Sequence, residues 1–185
     1  MNKKTLLGYA TVAIAFGVIG ALAGVNQNDI AGPITTAYAA TGDKPQTAVA
    51  HLFAQSFNDP AGKPQALSQW QGKPLVVNFW APWCAPCVRE MPELDALAKE
   101  MKAKHVNVIG LGIDTPSNIA QFASKLKISY PLYVASLGGT DLAREFGDDA
   151  GGLPYTVLIG ADGQVKKTYL GQLKFDQLRA DLAKL

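Results

Sequence analysis

The chain has 185 residues, with 17 Lys and Arg against 15 Asp and Glu, two histidines and two cysteines. So slight an excess of base, with no basic stripe or Arg-rich stretch, excludes an electrostatic nucleic-acid binder. Two cysteines are too few for a disulfide-built scaffold or a four-thiolate zinc site, and His51 and His105 lie far from them without ligand spacing.

The N-terminus opens on the short basic run Met1-Asn2-Lys3-Lys4. Residues 6–25 are then apolar or small, with Tyr9 and Thr11 the only polar side chains and no charge. That length matches the roughly 20 residues of a bilayer span. It equally fits a long signal-peptide core, with Ala21-Leu22-Ala23 and Ala37-Tyr38-Ala39 as cleavage patterns. Both readings export the rest of the chain, because the basic end stays in the cytoplasm. The expected location is therefore periplasmic or extracytoplasmic, tethered to the inner membrane through residues 6–25 if they are not removed. Residues 26–47 carry Gly, Pro, Thr, Asn and Ala without periodicity and read as a flexible tether. Residues 48–185 are long enough for one domain with its own core. Without Lys3, Lys4 and Asp29 the exported part has 15 basic and 14 acidic residues, so it is nearly neutral.

Within that domain, residues 66–70 fit either a hairpin arm or a helical turn. Residues 75–80, after the turn-like Gln71-Gly72-Lys73-Pro74, predict a buried strand. Val88, Met91, Leu94, Leu97 and Met101 recur at helical spacing. Residues 106–113 predict a second buried strand, and Ile119, Phe122, Ala123 and Leu126 a second helix with Ser117 as its N-cap. A short strand at residues 131–134 and a short helix at 141–146 come next. Two strands flanking Ala161-Asp162-Gly163 read as a hairpin, and Phe175, Leu178 and Leu182 mark one face of a last helix. The order predicts an α/β sandwich with a mixed sheet.

The chemistry concentrates in Phe79-Trp80-Ala81-Pro82-Trp83-Cys84-Ala85-Pro86-Cys87. A strand that delivers a sulfur to a helix N-terminus places it where free N–H groups and the helix dipole favour a thiolate. The pair thus reads as a redox-active dithiol. The competing readings are a structural disulfide, which gains least when it closes so short a loop, and a Cu(I) site, which two thiolates can hold.

Residues 77–92, reading Val-Asn-Phe-Trp-Ala-Pro-Trp-Cys-Ala-Pro-Cys-Val-Arg-Glu-Met-Pro, resemble the thioredoxin superfamily, and within it the TlpA/ResA/CcmG-type exported thiol–disulfide oxidoreductases. Gly152-Leu153-Pro154-Tyr155-Thr156 resembles the family's cis-proline loop, and residues 115–135 its inserted strand–helix segment. The resemblance covers residues 50–185. It implies a thioredoxin-like sandwich with a central mixed sheet, flanking helices, that insertion and an N-terminal extension. It further implies that Cys84 is an exposed nucleophile capping its helix and Cys87 a buried resolving thiol in the first turn. Sulfur exchange of this kind needs no cofactor or metal.

Trp83 and Pro86 are expected as supporting residues, Trp83 as a contact surface beside the sulfurs, while Trp80 fits equally a residue flanking the active turn or plain core. Pro154 is expected in cis from the motif, exposing the Leu153 backbone to a client, whereas an ordinary trans proline opening a strand would do neither. Glu90, three residues after Cys87, lies on the cysteine side of the helix; the resemblance implies an acid near the thiols that tunes their ionisation, and the alternative is a solvent-facing first-turn acid. Asn78 departs from ordinary thioredoxins, which carry a buried aspartate there; an amide cannot take a proton, so proton handling falls to Glu90, water or the client.

The resemblance implies a monomeric reductase of disulfides in exported proteins, kept reduced by a DsbD/CcdA-like membrane electron donor. Its suggested settings are cytochrome c maturation, copper-site assembly and sulfoxide repair. A disulfide-forming oxidant with the same dithiol, and a Cu(I) metallochaperone, are the alternatives. A peroxidase is disfavoured, because no cysteine lies in a Pro/Thr-rich loop.

Overall fold

The computed structural model describes residues 44–185. The expected signal or anchor segment, residues 6–25, and the tether up to residue 43 lie outside the described residues. Among the described residues no helix is long and apolar enough to cross a membrane.

The first element is a helix, α1 (Lys44–Ala54), which begins inside the stretch that composition assigned to the tether. Ala48, Val49, Leu52 and Phe53 are buried along one side of it, so packing on the sheet supplies what local composition does not. The ambiguous residues after it form both candidate structures. β1 (Ser56–Asn58) and β2 (Pro64–Ala66) pair as a hairpin, and Leu67–Trp70 then make a single 3-10 turn.

The remaining elements are β3 (Leu75–Trp80), α2 (Ala85–Met101), β4 (Asn107–Gly112), α3 (Pro116–Leu126), β5 (Leu132–Val134), α4 (Ser136–Glu145), β6 (Tyr155–Ile159), β7 (Val165–Leu170) and α5 (Phe175–Leu182). The strands make one mixed sheet in the order β2-β1-β5-β4-β3-β6-β7. β3, β4 and β5 are parallel, while β6 runs antiparallel to β3 and β7 antiparallel to β6. This is the expected thioredoxin-like sandwich, with α3 and β5 as the inserted segment.

Every residue of β3 is buried, because helices cover both sheet faces and no solvent side remains to impose alternation. Val76 and Trp80 point into a core with Met91, Leu94 and Leu97 of α2 and Leu178 of α5. Leu75, Val77 and Phe79 point the other way, among Leu52 of α1, Leu142 of α4 and Phe146. Trp80 is fully buried, its ring 5.1 Å from that of Phe122. Trp80→Ala is therefore expected to cost about 3–5 kcal/mol of stability. The check is a lower urea midpoint at unchanged slope.

Two local expectations are corrected. α3 is capped by Thr115, not Ser117: the Thr115 hydroxyl accepts from the Asn118 N–H at 3.3 Å and Pro116 occupies the first turn. α4 starts five residues before the expected 141, running through Gly138 and Gly139. These glycines argue against a helix locally. In the fold, a Cβ on Gly139 would sit 2.8 Å from Ala135 Cβ and 3.0 Å from Ile113 Cγ1, so close packing requires the glycine.

Candidate active site

The site forms where β3 hands the chain to α2. Cys84 is the N-cap of α2, with extended backbone angles (φ −84°, ψ 97°), and its Sγ accepts from the Cys87 N–H at 3.3 Å. Pro86 fits the first turn because the N–H it lacks would have no helical partner there. Cys84 and Cys87 are joined as a disulfide with Cα atoms 5.3 Å apart.

The expected exposure of Cys84 is corrected. In this oxidised form Cys84 is only 5% exposed and Cys87 is wholly buried. Its sulfur is bonded to a partner inside the first turn of α2. The exposed group beside it is Trp83, 68% accessible, while Trp80 lies in the core.

The second strand of the site enters through register. Tyr155 pairs with Phe79, which places Pro154 level with Trp80 at the end of β3 that leads into the disulfide turn. The Leu153–Pro154 bond is cis. Leu153 packs against the cluster containing both cysteines. Its loop is held on both sides: the Gly152 N–H donates to buried Asp148 Oδ1 at 2.9 Å, and the Gly171 N–H to the Pro154 carbonyl at 2.8 Å.

Glu90 resolves to the buried alternative, at 1% exposure. Its Oε1 accepts from Asn78 Nδ2 at 3.0 Å and its Oε2 from the Leu173 N–H at 2.9 Å. Burial pushes the Glu90 carboxyl above the usual carboxylate range, against the opposing effect of those two donors. Residues three apart on a helix are neighbours, so Glu90 stands one turn below Cys87. Asn78 Nδ2 also donates to Thr156 Oγ1 at 3.0 Å, tying the carboxylate to the strand after the cis-proline. Sequence reasoning singled out Asn78 and Glu90 separately. Thr156 and the Leu173 N–H carried no signal, since only the sheet register and the chain's return before α5 bring them in.

The fold is thioredoxin-like, and the relatives below make the chain a thiol–disulfide oxidoreductase. The family model for Redoxin matches residues 41–182, and the chain belongs to that family. A thiol-disulfide oxidoreductase ResA of Bacillus cereus is 32% identical over 128 residues, covering 69% of this chain and 72% of that protein. The ResA of Geobacillus thermodenitrificans is 28% identical, covering 68% and 71%. A secreted disulfide oxidoreductase of Mycobacterium tuberculosis, described as homologous to Escherichia coli DsbE, is alike in fold. It has a TM-score of 0.62 and 23% identity, covering 73% of this chain and 98% of that one.

Proposed function

We propose that this protein reduces disulfides of exported proteins through Cys84 and Cys87. In the reduced form, the Cys84 thiolate attacks one sulfur of a client disulfide. A Cys84–client bond forms and the other client sulfur leaves as a thiolate, which takes up a proton. Cys87 then passes its proton to Glu90, and its thiolate attacks Cys84 Sγ. The Cys84–Cys87 bond forms and the second client sulfur is released, so two electrons have passed to the client. A DsbD/CcdA-like membrane donor would return the disulfide to the dithiol by the same exchange in reverse.

The observation that carries this reading is a disulfide at a helix N-terminus whose first sulfur caps the helix beside an exposed tryptophan. The cis Leu153–Pro154 loop beside it offers backbone to a client, and Glu90 supplies a buried proton acceptor. Export is supported by the basic start and the apolar residues 6–25. The clients that the family resemblance implies are apocytochrome c haem-site cysteines, copper-site proteins and a sulfoxide repair system.

Trapping tests the reading. Cys87→Ser removes the resolving thiol, so the variant is expected to accumulate mixed disulfides through Cys84, seen on a non-reducing gel and released by dithiothreitol. No adduct at all, with stoichiometric Cu(I) retained by the wild type, would transfer the assignment to a metallochaperone.

A further inference from the structure

Three buried side-chain polar atoms have no hydrogen-bond partner among the described residues: Asn78 Oδ1, Trp80 Nε1 and the Tyr130 hydroxyl. A polar group left unpaired in a core is costly, and folded proteins almost always satisfy it.

The three atoms converge on one place. Asn78 and Trp80, two residues apart on β3, both face α2. Gly110 of β4 is the register partner of Asn78, about 4.8 Å across the sheet. A Cβ on Gly110 would stand 3.1 Å from Trp80 Nε1 and 3.2 Å from Tyr130 Cε2, the ring carbon next to the one bearing the hydroxyl. The bare glycine therefore lets indole, phenol and amide crowd together. Solvent does not reach them, since Asn78 and Trp80 are wholly buried and Tyr130 is only 5% exposed. Burial, followed by the Glu90 and Asp95 carboxylates, raises the Tyr130 phenol, so it keeps its proton.

Their chemistry fits one small ligand. The indole N–H only donates, the amide oxygen only accepts, and the phenol does either. A buried water makes about three hydrogen bonds to groups of this kind. Accepting from Trp80 turns its two hydrogens toward Asn78 Oδ1 and the Tyr130 oxygen.

We propose that Asn78 Oδ1, Trp80 Nε1 and the Tyr130 hydroxyl hold a buried water, which fixes the Asn78 amide in the orientation that donates to Glu90. With Oδ1 taken by the water, Nδ2 is the end that meets Glu90 Oε1 and Thr156 Oγ1, each at 3.0 Å. A flipped amide would set its oxygen against the carboxylate. Tyr130 is thus a positioning residue, acting on Glu90 through the water and Asn78. A donor kept on Glu90 favours the carboxylate, the form that takes the Cys87 proton. That consequence rests on the proposed reductase function; the water site itself does not. Asn78 of β3 and the Leu173 N–H before α5 meet Glu90 as neutral groups. Of the titratable side chains, Cys87 and Asp95 share its helix and Tyr130 comes from the segment before β5.

Two measurements on the full chain test the site. A crystal structure of the oxidised protein is expected to show a water oxygen about 3 Å from all three atoms. Tyr130→Phe removes only an oxygen without a protein partner, so it keeps the fold while the water leaves. Resolution of the Cys84–client adduct should then slow about tenfold, with its pH midpoint raised, while adduct formation keeps its rate. In a Glu90→Gln background the same substitution should change nothing, because no carboxylate remains to be favoured. Density that places no water within reach of the three atoms overturns the proposal. So does an unchanged resolution rate in Tyr130→Phe, or an equal slowing in both backgrounds. The reductase reading survives each of those results and falls only if Cys87→Ser forms no adduct.

Discussion

Cys84→Ser is expected to reduce client turnover to the uncatalysed background. The remaining thiol, Cys87, is wholly buried inside the first turn of α2, where a client sulfur cannot align with it. Thiolate exchange demands in-line access to the attacked sulfur, so the loss comes from geometry as well as from the missing nucleophile. The measurement is the rate of thiol release from a cystine peptide, with Cys87→Ser as the contrast. Cys87→Ser should still complete the first step and stall as an adduct, whereas Cys84→Ser should form none. Substantial adduct formation by Cys84→Ser would assign the attack to the wrong sulfur.

Glu90→Gln is expected to slow turnover by about a hundredfold near neutral pH, the lower end of what a positioned proton acceptor contributes. The amide keeps the shape of the side chain and can accept from the Leu173 N–H, but it cannot take the Cys87 proton. Asn78 cannot substitute for it either, being an amide itself. The same variant separates proton transfer from stability.

Burial raises the Glu90 carboxyl above its reference value of 4.5, so the folded state holds this proton more tightly than the unfolded chain. Ionising it therefore costs stability. The wild type should lose this contribution as pH rises from 4.5 through the raised folded value and level off above it. Glu90→Gln lacks that decline and should gain in stability relative to the wild type over the same interval. Urea midpoints of the oxidised proteins, in which neither cysteine titrates, measure the difference against pH. Parallel curves for the two proteins would show that Glu90 carries its charge in the fold without penalty.

Much of this site could be read directly from residue order. The strand, the capping cysteine and the amphipathic helix after it are local features: an apolar run, a Cys-x-x-Cys spacing and a period near 3.6. The hairpin about Ala161-Asp162-Gly163 was legible for the same reason, its turn chemistry being complete within three residues. The elements misjudged were those whose local composition argues one way and whose packing argues the other. α1 begins among tether-like residues, yet its apolar side closes over the sheet. α4 passes through two glycines because a side chain at Gly139 would collide with Ala135 and Ile113.

The burial of Cys84 and the partners of Glu90 belong to another level. The Cys-x-x-Cys spacing, the helix that follows it and the fold class are all legible in contiguous residues. That Glu90 turns inward to Asn78 and the Leu173 N–H, with Thr156 joined through Asn78, follows from packing between distant segments. Those relations join residues far apart in the chain through the sheet register and the return of the C-terminal segment. No local propensity encodes such distances; they arise when both faces of the sheet are covered and the strand ends come together.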